Sequence, residues 1–400
     1  MYLFILDKVL ELVDKLNKLS IEKDATELIT LLEKLIEAGN LDDYELKTNC
    51  VKFLESNDSS SKVYVLVAKL IAEITKTTKQ RTNFSEKDII ELLINLLSTT
   101  TQSTAKTSES WELIVQLCRA LGNILFSNDA ARTLVYDYDG GKALVGLFDI
   151  KIADVRAAGR SVDEILIFAK VRCGVVSNYL LGKEEISQKS LELKLIDKIK
   201  TIMEECLENE FESDMLENLM PPLNILTEQV SDLNFQPEIN ILITRILKTC
   251  TNSDLAETCL ELLQYQAEND DVKLLLAKEG LCESIYVLLE KYKNFVGSVE
   301  TRSLMKLSCD LIVLILTGDD AMKYLNKTPL LIYMQQWLES DDVDLMTTGV
   351  LALGNFARTD NHCIKMVEDN VTGKLIEILS KNNGIDGDMR IQHALVSIIK

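Results

Sequence analysis

Apolar residues recur along the chain at intervals of three and four, the spacing that places them on one face of an α-helix. The first segment shows the pattern in Leu6, Val9, Val13, Leu16 and Leu19. The same pattern continues to the end, and only 16 Gly and 4 Pro interrupt it in 400 residues. Strands need turn residues every few positions, so this scarcity favours helix throughout. The chain is therefore predicted to be all-α.

One short phrase returns along the chain: a small or polar residue, apolar residues, an Asn, and apolar residues again. It reads RALGNIL at 119–125, GVVSNYL at 174–180, MPPLNIL at 220–226 and LALGNFA at 351–357. We call the position of this Asn the slot, and Glu73, Tyr265 and Leu314 occupy the equivalent positions. Successive slots are 50, 55, 46, 41, 49 and 41 residues apart. This period is typical of armadillo repeats with loop insertions.

A single helical repeat cannot bury its own apolar face, so repeats must stack. The chain, 1–400, is predicted to form one right-handed armadillo solenoid of about seven to eight repeats, with an N-terminal cap at about 1–40. The Ser/Thr-rich stretch 98–110 is predicted to be a flexible loop. The last helix stops one residue before its expected Asn, so the C-terminal end is interpreted as truncated within a repeat.

The charge of the chain bears on its partners. There are 63 acidic against 43 basic side chains, and the net charge is −20. Nucleic acids and anionic membrane surfaces both require clustered Lys and Arg, so neither is expected as a partner. No apolar stretch is long enough for stable insertion into a membrane. A basic protein partner is favoured instead.

Candidate chemistry of the chain's own is sparse. The nine cysteines are scattered without a metal or redox spacing, which indicates core residues of a reduced, cytosolic protein. His362 and His393 are the only histidines, too few for a metal site or a catalytic triad. No phosphate-binding loop or nucleophile elbow is present. We therefore expect a non-catalytic monomer without cofactor or metal.

Most of the negative charge lies in a short stretch. Residues 201–272 hold 16 acidic side chains against Arg245 and Lys248. In armadillo arrays the third helix of each repeat lines the groove, and residues at i, i+4, i+8 and i+11 share one face. The side chains expected on this face, where a basic segment would bind, are Glu217, Glu228, Glu257, Glu261, Tyr265, Glu268 and Asp310. The alternative is a solvated acidic face without a specific partner.

The slot asparagines have two possible roles. They can contact a partner in the groove, or they can bond neighbouring backbone and fix the stacking of repeats. The candidates are Asn123, Asn178, Asn224 and Asn355, to which Arg358 and His393 are added as groove residues. Arg358 is expected to pair with an acidic group of a partner or with Asp360.

The last third of the chain resembles the SmgGDS family of small-GTPase dissociation stimulators. The phrases that carry the resemblance are AEND at 267–270, DLIVLILTGD at 310–319, NFARTD at 355–360, CIKMV at 363–367 and QHA at 392–394. RALGNI at 119–124 and the Gly pair at 140–141 extend it toward the N-terminus.

This resemblance implies an armadillo protein of the cytosol. It implies guanine-nucleotide exchange and chaperoning of Rho-family and related small GTPases, whose C-terminal tails are polybasic and prenylated. In the family, the GTPase-binding groove uses an Asn at the position of Asn355 and a second Asn one turn on. Here the second position holds Thr359, a departure that would weaken or retune binding.

Two other functions remain open. A general armadillo adaptor that binds a basic peptide would show the same acidic groove. A nuclear-import receptor presents Trp one turn before the slot Asn, whereas Trp occurs here only at 111 and 337, which counts against import. An enzyme with its own covalent chemistry is the least favoured class.

Overall fold

The structure is a computed structural model that describes residues 2–18, 25–39, 41, 46–56, 61–103, 107–208, 212–292, 299–358, 360–382 and 388–399. Within these ranges the regular elements are helices and no strand is present, so the all-α prediction is confirmed. The chain divides into two compact units, Met1–Ser231 and Asp232–Lys400. The single continuous solenoid over 1–400 stays a prediction.

Unit 1 (Met1–Ser231) contains fourteen helices within its described ranges and a 3-10 turn, Leu147–Asp149, between α9 and α10. The helices are α1 (Tyr2–Lys18), α2 (Ala25–Ala38), α3 (Lys47–Glu55), α4 (Ser61–Ile74), α5 (Thr78–Asn83), α6 (Lys87–Gln102), α7 (Ser108–Leu125), α8 (Asp129–Asp137), α9 (Gly141–Gly146), α10 (Ile152–Ala157), α11 (Val162–Leu180), α12 (Glu184–Glu192), α13 (Leu195–Glu208) and α14 (Glu212–Gln229).

Unit 2 (Asp232–Lys400) contains eleven helices in the part that the structure describes. They are α15 (Pro237–Thr249), α16 (Ser253–Gln266), α17 (Asp270–Lys278), α18 (Leu281–Tyr292), α19 (Val299–Leu316), α20 (Asp319–Leu325), α21 (Leu330–Trp337), α22 (Val343–Phe356), α23 (Asp360–Glu368), α24 (Val371–Asn382) and α25 (Met389–Ile399).

Several helices begin at a polar side chain that caps them. The side chains of Thr107, Asn128, Ser161, Asn252 and Asp342 each accept a backbone N–H from the first turn of the helix that follows. These N–H groups have no partner inside the helix, so a side-chain acceptor at this position stabilises the helix start.

In each unit, the long third helices stack on one another. In unit 1, α4 packs on α7, α7 on α11 and α11 on α14; in unit 2, α16 packs on α19, α19 on α22 and α22 on α25. The apolar residues of these helices, such as Leu121 and Val176 in unit 1 and Ile312 and Leu353 in unit 2, are completely buried. Shorter first and second helices, such as α20 and α21 before α22, complete each repeat. This is the armadillo arrangement that the slot spacing predicted.

Two slot asparagines of unit 1 hydrogen-bond across this stack. Asn123 Nδ2 donates to the backbone oxygen of Ala72, 2.7 Å away in α4. Asn178 Nδ2 donates to the backbone oxygen of Gly122, 2.9 Å away in α7. In both cases the acceptor lies one residue before the slot of the preceding repeat. The same bond therefore recurs from repeat to repeat, as the stacking interpretation of these residues requires.

The turns between first and second helices share a backbone feature. Asp139, Lys194, Gly280 and Asn370 have φ values of 57°, 61°, 70° and 57°. This left-handed conformation ends a helix sharply and is least costly for Gly and Asn. It accounts for Gly280 and Asn370 at two of these turns, whereas Asp139, and not Gly140, and Lys194 take this conformation at the other two.

The prediction of a flexible loop over 98–110 is wrong for most of that stretch. Helix α6 continues to Gln102 and α7 begins at Ser108, while residues 104–106 lie outside the described ranges. The hydroxyls of Thr99, Thr100 and Thr101 donate to backbone oxygens three or four residues earlier. A threonine can satisfy its hydroxyl in this way within a helix, so a Ser/Thr-rich composition does not by itself end one.

We expect the Asn178→Ala variant to lower the free energy of unfolding of unit 1 by about 1–2 kcal/mol, since it removes one half-buried inter-repeat hydrogen bond. Urea unfolding can be followed by Trp111 fluorescence in a Trp337→Phe background, which leaves one tryptophan in the chain. Gln188→Ala is the control, because Gln188 bonds only to Glu184 on the exposed face of α12. Equal stability of the two variants would contradict the stacking role.

Candidate functional site

A cavity of about 870 Å³ lies in unit 2 along the third helices α16, α19, α22 and α25. Apolar side chains line part of it, including Val313, Leu314 and Leu351. The charged and titratable side chains around it are Glu268, Lys306, Asp310, Asp344, Arg390 and His393. Of the predicted site residues, the structure thus brings Glu268, Asp310 and His393 to one cavity.

The solvent-facing stripe of α16 and the turn that follows it carry predicted acidic residues. Glu261 and Glu268 are exposed, whereas Glu257 and Tyr265 are half-buried. The Ser303 hydroxyl on α19 donates a hydrogen bond to the Glu257 carboxylate. Glu257 therefore helps to join two repeats, while Glu261 and Glu268 keep their carboxylates toward solvent.

Asp310 is the acidic residue of α19 at the cavity. Partial burial raises the pKa of its carboxyl group, because a low-polarity environment disfavours the charged form. Lys306, one turn earlier on the same helix, lowers the pKa and so opposes this effect, and the nearby Asp344 carboxylate raises the pKa further. A cation bound beside Asp310 would relieve this penalty.

The other side of the cavity carries a chain of ion pairs that sequence reasoning missed. Arg302 Nη1 lies 2.5 Å from Asp342 Oδ2, and its Nη2 lies 3.1 Å from Asp344 Oδ2. Arg390 Nη1 lies 2.7 Å from Asp344 Oδ1, and its Nη2 lies 3.0 Å from Asp388 Oδ2. The two arginines thus pair with Asp342 and Asp344, and the acidic residues that line the cavity outside this network are Glu268 and Asp310.

This network could not be read from the sequence, because its members come from three different repeats. Arg302, Asp344 and Arg390 lie more than 40 residues apart from one another in succession, and only the stacking of third helices joins them. The one local signal is Asp342, a residue type typical of helix N-caps, which caps α22.

Asn355 behaves differently from the slot asparagines of unit 1. Its Nδ2 donates to the backbone oxygen of Leu351 in its own helix at 3.2 Å, and its Oδ1 accepts from Arg358 Nη2 at 2.6 Å. Arg358 also pairs with Asp319, at 3.3 Å, and not with Asp360 as one sequence-based alternative had it. Thr359 lies outside the described residues.

The remaining predicted residues belong to unit 1. Asn224, half-buried, and the exposed Glu217 and Glu228 all lie on α14, whose interior also contains Pro221 and Pro222. The convergence of these residues with the acidic stripe of α16 in one groove stays a prediction.

Unit 1 has a cavity of its own, of about 520 Å³, between α7, α10 and α11. Trp111 and Phe168 form one wall, with ring centroids 5.7 Å apart in an edge-to-face arrangement. Ile167, half of whose surface is exposed, adds apolar area, and Arg119 and Arg160 lie at the same cavity. Apolar walls with a few charged groups are typical of ligand cavities.

Comparison with known proteins gives the relationship. The chain is 48% identical over 393 residues to the Drosophila melanogaster GTPase-GDP dissociation stimulator vimar. The aligned region is 98% of this chain and 60% of vimar. The chain is thus similar to this GTPase-GDP dissociation stimulator over nearly its whole length. The resemblance to the SmgGDS family is thereby confirmed.

Two further relatives of this chain come from Xenopus laevis. Rap1 GTPase-GDP dissociation stimulators 1-B and 1-A are 28% and 29% identical to it over 86% of this chain and 54% of their own length. The chain thus spans between about half and three fifths of the curated relatives it matches. No family model matches the sequence.

Among solved structures, this chain is similar in fold to the crystal structure of an engineered protein. The TM-score is 0.53, with 18% identity over 97% of this chain and 98% of the other. In the part of the chain that the structure covers, no helix is long and apolar enough to cross a bilayer.

The two environments of aspartate in unit 2 lead to a testable difference. Burial raises the pKa of Asp310, whereas the hydrogen bond from Lys323 lowers the pKa of the exposed Asp320. We expect the Asp310 carboxyl to titrate at a higher pH than the Asp320 carboxyl. Carboxyl carbon NMR over a pH series measures both, with Asp310→Asn and Asp320→Asn used for assignment. The reverse order would contradict the desolvation of Asp310.

Proposed function

We propose that this chain binds small GTPases and promotes the release of their GDP, acting in the cytosol as an exchange factor and chaperone. The partners are Rho-family and related GTPases with polybasic, prenylated C-terminal tails. The observation that carries the proposal is the unit 2 cavity, where Glu268 and Asp310 lie beside an apolar surface, in a chain similar over 98% of its length to a protein named GTPase-GDP dissociation stimulator.

The charge distribution supports a cationic partner. Glu268, in the turn after α16, and Asp310 on α19 both line the cavity. A lysine or arginine has an aliphatic stem and a charged head, so it can lie along Val313 and Leu314 with its charge near Asp310. Opposite charges of this kind also steer the approach of the partner and orient it.

The mechanism of exchange needs no covalent step. A protein that binds the nucleotide-free GTPase more tightly than the GDP-bound form shifts the GTPase toward release of GDP. The groove residues proposed to hold the GTPase are Asn355 and His393 of unit 2, with Thr359 at the position where the family uses a second Asn. Asn123, Asn178 and Asn224 of unit 1 are proposed as secondary contacts, although the bonds of Asn123 and Asn178 favour a stacking role.

The cavity of unit 1 supports the prenylated part of the proposal. The half-exposed side chain of Ile167 gives it apolar surface, and the largely buried rings of Trp111 and Phe168 also line it. Burial of apolar area of a prenyl chain against such a surface is favourable. Binding at this cavity would shield the prenyl group from water, and this shielding is the physical meaning of chaperoning here.

The direct test of exchange is GDP release. A prenylated Rho-family GTPase and Rap1 are each loaded with a fluorescent GDP analogue, and release is followed with and without this chain. We expect faster release with the chain present. If the GTPase binds without any change in release rate, exchange is wrong and the adaptor alternative is favoured.

The acidic side of the cavity is tested with a fluorescent hexalysine peptide. Because each change removes one carboxylate that faces the cation, we expect Glu268→Gln and Asp310→Asn each to weaken binding about threefold. The wild-type affinity should also fall as salt is added, since partly exposed charges are screened.

Asp320→Asn is the matched control for this measurement. Asp320 also carries one carboxylate, but it pairs with Lys323 and lies outside the cavity lining. It should bind hexalysine like the wild type. Equal weakening by Asp320→Asn and Asp310→Asn would show that net charge, and not the cavity, attracts the peptide.

A further inference from the structure

The side-chain amide of Asn355 is held from two sides. Its oxygen accepts a hydrogen bond from Arg358 Nη2 at 2.6 Å, and its nitrogen donates to the Leu351 backbone oxygen at 3.2 Å. The first bond has a charged donor, and such bonds are shorter and stronger than neutral ones. The orientation of the amide is thereby determined within its own helix, whereas Asn123 and Asn178 direct their amides to the preceding repeat.

Arg358 is itself fastened to the preceding repeat. Its Nη1 lies 3.2 Å from the backbone oxygen of Thr317 and 3.3 Å from Asp319 Oδ1. Thr317 follows α19 and Asp319 begins α20, so one guanidinium joins the end of α22 to the repeat before it. Both terminal nitrogens of Arg358 are therefore engaged inside the protein.

The consequence lies in the donors of Asn355. Its amide nitrogen carries two hydrogens, and the bond to Leu351 uses one of them. Leu351 lines the unit 2 cavity, one turn before Asn355. With its oxygen held by Arg358, the half-buried amide can offer its second hydrogen in one direction, without loss of rotational freedom when a partner binds.

We propose that Arg358 is a positioning residue for GTPase binding: it holds Asn355 so that the amide nitrogen donates to an acceptor of the GTPase, and Arg358 makes no contact with the GTPase itself. This inference rests on the proposed function. It differs from the sequence-based expectation, in which Arg358 pairs with an acidic group of the partner.

The test is a double-mutant cycle on GTPase affinity, measured by fluorescence anisotropy with a prenylated Rho-family GTPase. Asn355→Ala and Arg358→Ala should each weaken binding about fivefold, since each loses one oriented hydrogen bond. The double variant should bind the GTPase no more weakly than the single variant that has the lower affinity. Arg358→Lys should recover part of the loss, because lysine can still donate to the Asn355 oxygen. A product of the two single losses in the double variant would show that Arg358 acts independently and would overturn the inference.

Neighbouring acids provide the matched pair. Asp319→Asn should weaken binding about twofold, since it removes one anchor of Arg358, and Asp320→Asn, one residue on, should have no effect. Equal effects of the two would count against the anchoring.

A second readout needs no GTPase. The two amide hydrogens of Asn355 should give well-separated NMR resonances in the wild type, which shift in Arg358→Ala and are unchanged in Asp320→Asn. Unshifted resonances in Arg358→Ala would overturn the inference. Failure of the folded wild type to bind any GTPase would instead sink the proposed function, so the two failures are distinguishable.

Discussion

A third helix of this protein buries its apolar stripe against the third helices of the neighbouring repeats and against the shorter helices beside it, and the rest of the structure follows from that packing. In unit 1 the stacked helices add the side-chain hydrogen bonds of Asn123 and Asn178 to backbone oxygens of the preceding helix. These bonds have direction, so they set which residues of each helix face the next one. What remains of each helix surface is then the stripe that can meet a partner.

In unit 2 the same constraint distributes the charges. Stacking brings Arg302, Asp344 and Arg390 from three successive repeats into one chain of ion pairs. Because carboxylates that already bond arginines attract a further cation only weakly, the acidic residues of the cavity that are best placed to attract one are Glu268, in the turn after α16, and Asp310 on α19. The groove is therefore less uniformly acidic than the net charge of −20 indicates.

The fold could largely be predicted from the sequence, since helical periodicity and the slot phrase are local signals. The bounds of α6 could not be predicted in this way, because the Thr99–Thr101 run has a loop-like composition while its hydroxyls bond within the helix. For the site, the acidic stripe of α16 followed from spacing within one helix. The partners of Arg358 and Asp344 did not, because they belong to other repeats and their proximity depends on the stacking register. The half-buried state of Glu257 and its bond from Ser303 were hidden for the same reason.

We propose above all that a GTPase binds the cavity lined by α16, α19, α22 and α25. Hydrogen–deuterium exchange of the chain with and without a prenylated Rho-family GTPase tests it most directly. We expect slower exchange on binding in these four helices and in the turn at Thr317, with α18, α21 and α24 unchanged. Protection confined to α18, α21 and α24 would contradict it.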